Sequence, residues 1–270
     1  IYPDRIGSAL GVTMATGDLG QTVVPPIAGT IAAALAWRAG LGFVAPLLLV
    51  GAAALWLLLP RQVNTGGAES DAPATGVSGS TAGRVLAALR RPNVVFVSFI
   101  FLLYILVWQS FTGLFPTYLV EQKGLSSTTA SVLFSLFFAA GIVVKPLSGV
   151  AYDRIGFRGS LVLALSAPTV GFGLLPVVEG RLGVAAITVL VSTMLGSGAI
   201  TQSYFSDAFP ESVRGTGLGV VRTSTATLGA AGPVAFGVIA DRGYFDEGYW
   251  LLAGLVAVVI LLTLRLPTPD

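Results

Sequence analysis

Three ionisable side chains lie inside long apolar stretches of this 270-residue sequence: Asp18, Lys145 and Arg222. If these stretches cross a membrane, each charge costs at least a few kcal/mol and is a candidate for binding or moving a charged species. The sequence contains no His and no Cys. An imidazole base, a thiol nucleophile and a His or Cys metal site are therefore excluded, and any chemistry depends on the remaining polar groups.

Depth distinguishes the three charges from one another. Lys145 lies about 9 Å and Arg222 about 10 Å from the nearer predicted helix end, so both long side chains can snorkel to the surface. Asp18 lies about 16 Å inside its helix, and its side chain is too short to do so. We expect it to face a hydrated cavity or a partner, or to remain protonated, which makes it the first candidate for proton coupling or substrate contact. The alternative is a structural, hydrogen-bonded Asp.

Polar and aromatic residues at similar depth are further candidates for a cavity lining: Gln21, Tyr104, Trp108, Gln109, Gln202 and Tyr204. Gln21 lies one turn from Asp18 on the same helix face. Tyr104, Trp108 and Phe111 follow an i, i+4, i+7 spacing, which places them on one face of a helix. Core packing is the alternative for such an aromatic stripe. For Lys145 the alternative to a role in the cavity is snorkelling.

Composition identifies the class of protein. Only 10% of the residues are charged and 54% are hydrophobic, with a mean hydropathy of +0.85. An average soluble domain is about 25% charged, so a soluble enzyme is nearly excluded. The net charge of +2 is too small to indicate a nucleic-acid partner. The expected environment is a lipid bilayer.

Eight stretches are long and apolar enough to cross a bilayer core of about 30 Å as helices. The predicted architecture is therefore an all-α membrane protein with eight spans, at about 8–36, 39–60, 93–119, 126–150, 159–178, 183–206, 215–239 and 248–264. Pro and Gly inside several spans are tolerated in membrane helices.

A polar segment separates the first two predicted spans from the last six. We expect three parts: residues 1–60, a linker over 61–91 that is rich in Gly, Ser, Thr and Ala, and residues 92–270. At the end of the linker, Arg84, Arg90 and Arg91 interleave with apolar residues, which predicts a short amphipathic segment at the membrane surface. An ordinary charged helix flank is the alternative.

The Lys and Arg residues orient the chain. If the linker is cytoplasmic, nine of them lie inside: Arg5, Arg61, Arg84, Arg90, Arg91, Arg154, Arg158, Arg214 and Arg265. Four lie outside: Arg38, Lys123, Arg181 and Arg242. This asymmetry follows the positive-inside rule, so both ends of the chain and the linker are expected in the cytoplasm and the protein in the cell membrane.

An internal repeat relates the first span to the seventh. With one inserted residue, the segment from Tyr2 matches that from Phe209 at an offset of 207 and then 208, and Pro25 and Gly29 fall on Pro233 and Gly237. The seventh span is the fifth of six after the linker, so its partner is expected to be the fifth of an equivalent six. We therefore expect this chain, which begins with Ile, to represent helices five to twelve of a twelve-span protein.

Residues between the fourth and fifth spans carry a more specific resemblance. Gly149, Asp153, Arg154, Gly156 and Arg158 follow a spacing that resembles the loop signature of the major facilitator superfamily. In that family the loop resembles a latch on the cytoplasmic side. Pseudo-symmetry places Asp153 near the start of the first helix, around residues 7–8, where a carboxylate can accept hydrogen bonds from free N–H groups. A solvated, positive-inside turn is the alternative.

Two further segments are similar to those of the family. Residues 209–219 resemble the loop before the fifth helix of a half, and Trp37 and Arg38 follow the first span as they do in the family. The first span also resembles an antiporter-type motif, from which Val24 and Ala28 depart. Its helix-packing positions, with those of the seventh span, are Gly11, Gly20, Pro25, Gly29, Gly232, Pro233 and Gly237.

The resemblance implies a secondary active transporter of two six-helix halves that works by alternating access. Lys145, which precedes Pro146, is similar to an anion-contacting position in several family members. We expect a small-molecule substrate, with a small organic or inorganic anion favoured, protons as coupling ion, no cofactor and a monomer. The alternative within the family is a drug or metabolite efflux antiporter. A channel is disfavoured because no filter sequence or charge ring is present, and an intramembrane enzyme because Asp18 is the only carboxylate of its span.

Overall fold

The computed structural model describes residues 6–35, 37–58 and 79–266, and these residues form helices without any strand. In chain order the helices are α1 Ile6–Ala34, α2 Trp37–Gly42, α3 Val44–Leu58, α4 Gly79–Leu89, α5 Pro92–Glu121, α6 Ser127–Leu174, α7 Arg181–Ser192, α8 Leu195–Ala208, α9 Arg214–Gly229, α10 Ala231–Asp241 and α11 Phe245–Leu264. Most of the predicted linker lies outside the described residues.

Five helical stretches among the described residues are long and apolar enough to cross a membrane: Pro92–Glu121, Ser127–Leu174, Arg181–Ala208, Glu211–Asp241 and Phe245–Leu264. The second has 48 residues, about 70 Å of helix, which is more than twice a bilayer core. It turns at Gly156, whose φ of 69° lies in the left-handed region that favours glycine. Its two arms therefore correspond to two of the predicted spans.

The first two predicted spans are less apolar or shorter than these five. Helix α1 has 29 residues, enough to cross a bilayer, but its Gly, Thr, Asp and Gln residues lower its hydropathy. The second span corresponds to α2 and α3, and its last two residues lie outside the described part of the chain. One boundary differs clearly from the sequence prediction: the first arm of α6 continues to Gly156 instead of ending at residue 150. Gly149 and Asp153 consequently lie on a helix and not in a loop.

Helices α1 and α6 approach closely along several turns. A Cβ atom on Gly7 would lie 2.6 Å from the Gly149 carbonyl oxygen, and one on Gly11 would lie 2.5 Å from that of Lys145. Further along, a Cβ on Gly141 would collide with Asp18. Positions on α6 descend as those on α1 ascend, so the two helices run antiparallel. Glycine allows this approach because any side chain would separate the two backbones.

The other predicted packing positions have unequal environments. Gly232 of α10 also lies against a neighbouring backbone, since its Cβ would come 2.6 Å from the Leu106 carbonyl oxygen of α5. By contrast, a Cβ on Gly20 or Gly237 would meet nothing within 4 Å among the described residues, and one on Gly29 makes an ordinary contact. Pro25 lies inside the continuous helix α1, and Pro233 lies beside Gly113 of α5.

An aromatic cluster joins α5, α6, α10 and α11. Phe111 packs against Phe115, Phe137 and Phe172 with ring centroids 4.5–5.3 Å apart, and against Tyr249 at 6.4 Å. Phe111 is fully buried. Of the predicted stripe on α5, this residue therefore belongs to the core, whereas the other two members line the cavity described below.

Helix α4 corresponds to the predicted amphipathic segment. Val85 and Ala88 are buried, and Arg84 and Arg90 are exposed. Arg91 donates a hydrogen bond to the Ala208 carbonyl oxygen at 3.2 Å. Leu86 is 49% exposed, so the apolar side of the segment is only partly covered.

Candidate functional site

A cavity of about 250 Å³ lies between α1, α5, α6, α8 and α9. The residues that the sequence proposed for this site, with the exception of Tyr204, line it: Asp18, Gln21, Tyr104, Trp108, Gln109, Lys145, Gln202 and Arg222. These residues come from five helices and from both sides of the linker. The fold therefore brings together polar groups that are up to about 200 residues apart in the sequence.

The centre of the site is a buried ion pair. The Lys145 Nζ atom donates to Asp18 Oδ1 at 2.6 Å. The Asp18 and Lys145 residues are 0% and 8% exposed. Their pairing follows from the antiparallel contact of α1 with α6, which places the two residues at the same depth. Each charge offsets the cost of burying the other.

This pair corrects the snorkelling interpretation of Lys145. Because α6 continues to Gly156, Lys145 lies eleven residues, about 16 Å, from that turn and not about 9 Å from a helix end. Its amino group binds a carboxylate in the interior and does not reach the surface. For Asp18 the pair agrees with the expectation of a cavity or a partner, and the partner lies on a helix 127 residues away in the sequence.

The second carboxylate oxygen of Asp18 is buried and accepts no hydrogen bond from the described residues. It points at Gly141, where a Cβ atom would collide with it. Gly141 therefore makes room for the carboxylate and is a functional residue that the sequence analysis missed. The available signal was its position, one helical turn before Lys145 on the same face of α6.

Arg222 lies across the cavity on α9 in a different environment. Its side chain is exposed and forms no hydrogen bond or ion pair with the described part of the chain. The described lining otherwise contains only the paired charges Asp18 and Lys145. The charged groups of the cavity therefore sum to about one unpaired positive charge, which is carried by a guanidinium group.

The α5 wall combines aromatic rings with an amide. Tyr104 and Trp108 line the cavity as predicted, and Gln109 Nε2 donates to the Ala226 carbonyl oxygen at 3.1 Å. Gln202 of α8 also lines the cavity. Tyr204 does not, because its ring packs on Phe157 with centroids 4.7 Å apart.

Asp153 forms a second polar cluster at the start of α1. Its carboxylate accepts hydrogen bonds from the backbone N–H groups of Gly7 at 3.0 Å and Ser8 at 2.9 Å, and from the Ser8 hydroxyl. The structure thus confirms the position predicted from the internal repeat. A carboxylate satisfies free N–H groups at a helix N-terminus and interacts favourably with the helix dipole. The role of this contact as a latch stays a prediction.

Of the residues next to Asp153 in the sequence, some form side-chain hydrogen bonds with other helices and some do not. The Tyr152 hydroxyl donates to Asp207 Oδ2 of α8 at 2.6 Å, a contact that the sequence analysis missed. Arg154 is exposed and Arg158 half-buried, and neither bonds to any of the described residues. Gly156 provides the turn itself. Within residues 6–35, 37–58 and 79–266, no acidic cluster of three or more is placed to hold a metal ion.

The buried pair generates a stability prediction. Lys145→Met leaves the Asp18 carboxylate buried without a partner, which we expect to destabilise the protein by about 3–5 kcal/mol. Thermal unfolding in detergent measures the change. The double variant Asp18→Asn with Lys145→Met removes both charges and is expected to recover much of the loss. Arg222→Met is the control, since an exposed, unpaired side chain contributes little. An unchanged melting temperature for Lys145→Met contradicts the prediction.

Comparison with known proteins places this chain among transporters. A hexuronate transporter of Bacillus subtilis is 26% identical over 99% of this chain and 66% of its own length. A human glucose-6-phosphate exchanger is 30% identical over 71% of the chain and 38% of its length. A sialic acid transporter of Escherichia coli is 26% identical over 66% of the chain and 45% of its length. The chain thus spans between about two fifths and two thirds of these relatives.

A sequence model of the Major Facilitator Superfamily matches residues 1–203. This match covers about three quarters of the chain and includes α1, the ion pair and the Asp153 cluster. It agrees with the all-helical structure and with the loop signature. The chain belongs to the major facilitator superfamily.

Proposed function

We propose that this chain is part of a secondary active transporter that carries a small organic anion, driven by protons, through alternating exposure of the cavity to the two sides of the cell membrane. Three parts of the chain carry this proposal. Arg222 binds the anion, the Asp18 and Lys145 pair couples anion to proton, and Asp153 holds one closed state. The nine-to-four distribution of basic residues supports a cytoplasmic linker and cytoplasmic ends.

The charge balance of the cavity is the observation that carries the choice of an anion. Asp18 and Lys145 neutralise each other, and Arg222 lacks a partner among the described residues. A guanidinium group binds a carboxylate or a phosphate through two parallel hydrogen bonds. The relatives support this choice, because hexuronate, glucose 6-phosphate and sialic acid all carry a carboxylate or a phosphate.

Efflux of an uncharged or cationic compound is less well supported. The antiporter-type motif of α1 is incomplete at Val24 and Ala28, and Gly20 packs against no neighbour in the described residues. An unpaired Arg in the cavity disfavours a cationic substrate. We therefore place the protein among anion carriers and not among enzymes or channels, with lipid around its exposed apolar faces and a monomer as the working unit.

Arg222 provides the direct test of the anion proposal. A hydrogen bond to a charged group is worth about 1.5–3 kcal/mol, so Arg222→Gln should raise the dissociation constant for an anionic substrate about 10- to 150-fold. Uptake of labelled glucuronate into proteoliposomes containing the whole transporter of which this chain is part measures the change, and Arg222→Lys should lose less affinity than Arg222→Gln. Equal transport by the wild type and Arg222→Gln, or preference for a cation, would overturn the proposal.

The coupling of proton to anion follows from the charges that each of them would leave unpaired at Asp18 and Lys145. A proton on Asp18 alone would leave Lys145 buried without a counter-charge, and an anion on Lys145 alone would have to displace Asp18. When both bind together, the proton neutralises Asp18 and the anion held by Arg222 also pairs with Lys145, so no buried charge is left unpaired. Proton and anion therefore favour each other's binding, which is the linkage that symport requires.

The other groups near Asp18 do not change the sign of this linkage. Tyr104 of α5 is a neutral phenol beside the pair, and Arg222 is positive throughout. The lining residues from α8 are uncharged. Arg38 lies on α2, beyond the end of α1 and twenty residues from Asp18 in the sequence, and Asp153 lies about 12 Å from Lys145 along α6. Asp18 is therefore the carboxylate that responds to pH inside the cavity.

The linkage predicts a pH dependence with a definite sign. If the complex holds one more proton than the empty transporter, affinity for glucuronate rises as pH falls, by up to about tenfold per pH unit. Asp18→Asn mimics the protonated state, so we expect its affinity to be independent of pH and its uptake to be insensitive to a proton gradient, with substrate exchange retained. Binding titrations between pH 8 and 6 measure this. Weaker binding at lower pH contradicts symport and favours antiport.

Asp153 provides the test of the closed state. Asp153→Ala leaves the first N–H groups of α1 unbonded, which should shift the transporter away from the state in which α1 and α6 are joined. The chain has no Cys, so a single Cys at Met14 reports access to the cavity from either side. We expect a change of at least several-fold in the ratio of the two labelling rates. Arg154→Ala, at the exposed neighbouring position, is the control, and an equal change in both variants contradicts the latch.

A further inference from the structure

A second cavity of about 320 Å³ adjoins the first, between α1, α5, α6 and α10. Four side chains line both cavities: Gln21, Trp108, Gln109 and Phe138. The first cavity alone, at about 250 Å³, is below the usual size of a ligand site, about 300–1,000 Å³. A substrate larger than the first cavity would therefore extend past the four shared side chains into the second.

The two cavities differ in chemistry. Asp18, Lys145 and Arg222 line only the first, and no Asp, Glu, Lys or Arg among the described residues lines the second. Its lining provides neutral groups instead: two amides, the Thr112 hydroxyl and the Trp108 indole. These groups suit a part of the substrate that carries hydrogen-bonding groups but no charge.

The side chains that line the second cavity already form some hydrogen bonds, and these determine which of their donor and acceptor atoms remain free to bind a ligand. Gln109 Nε2 is engaged with the Ala226 carbonyl oxygen, so its Oε1 remains as an acceptor. The Thr112 hydroxyl donates to the Trp108 carbonyl oxygen at 2.8 Å, so its oxygen also remains as an acceptor. Gln21 can both donate and accept. A wall that offers both donors and acceptors matches a ligand rich in hydroxyl groups, which donate and accept, and whose C–H faces can pack on the Trp108 ring.

We propose that the second cavity is the subsite for a polyhydroxylated, uncharged portion of the substrate, and that Gly113 determines how large this portion can be. This inference rests on the proposed anion transport and specifies its substrate as a sugar acid or sugar phosphate, with the charged group at Arg222. Gly113 lines the second cavity and not the first. A Cβ there would lie 3.7 Å from Pro233, an ordinary contact, so Ala is tolerated and a longer side chain must enter the cavity.

The test compares two anions on one set of variants. Glucuronate has a carboxylate and a hydroxylated ring, whereas glycolate has the carboxylate and a single hydroxyl. In proteoliposomes containing the whole transporter of which this chain is part, Gly113→Leu should raise the inhibition or transport constant for glucuronate at least tenfold and change that for glycolate less than twofold. Gly113→Ala, the matched control, should change neither constant. The wild type should bind glucuronate at least tenfold more tightly than glycolate.

A second variant guards against a folding defect in Gly113→Leu. Thr112→Val keeps the side-chain volume and removes the acceptor. It should therefore weaken the binding of glucuronate several-fold and leave the binding of glycolate unchanged. Equal affinity of the wild type for the two anions, or equal losses for both in the variants, overturns the subsite. If neither anion binds to the wild type, the proposed function itself fails together with this inference. If Arg222→Gln loses the binding of both anions while Gly113→Leu and Thr112→Val lose only that of glucuronate, both the proposed function and the subsite are supported.

Discussion

A carboxylate and an ammonium group buried between two helices depend on each other, because each would be strongly unfavourable there alone. In this chain the two groups are Asp18 on α1 and Lys145 on α6, joined at 2.6 Å. Their contact requires that the two backbones approach within the space of a missing side chain, which Gly7, Gly11 and Gly141 provide. The ion pair in the cavity thus depends on the close packing of α1 on α6, since any separation of these helices also separates the two charges.

The same two helices carry the Asp153 contact, about 12 Å from Lys145 along α6. Binding in the cavity and closure at the start of α1 are therefore not independent in our proposal. An anion that competes with Asp18 for Lys145 weakens one attachment of α1 to α6, and the Asp153 hydrogen bonds remain as the other. In the proposed cycle these two attachments break separately, which would give the helix pair two arrangements whose populations a ligand can shift.

The features that depend on one helix or on the internal repeat could be predicted from the sequence. The depth of Asp18 followed from counting residues along one span, and the position of Asp153 followed from the offset between the first and seventh spans. Prediction from the sequence failed for Lys145, because the end of α6 depends on the turn at Gly156 and the partner lies on another helix. Gly141, Tyr152 and Asp207 were missed for the same reason: their roles exist only when α1, α6 and α8 are in contact. Whether Phe111 belongs to the core or the cavity was likewise decided by the rings of other helices.

The repeat also explains how the cavity acquired opposite charges on opposite walls. At the offset of 208, Met14 corresponds to Arg222 and Asp18 corresponds to Ala226, and all four residues line the cavity. Equivalent turns of two equivalent helices thus face the same space, but one carries the acid and the other the base. Lys145 comes from α6, where it neutralises the acid without reaching Arg222. Under the proposed function, the paired acid and the unpaired base at these two positions give the repeated framework a proton-binding side and an anion-binding side.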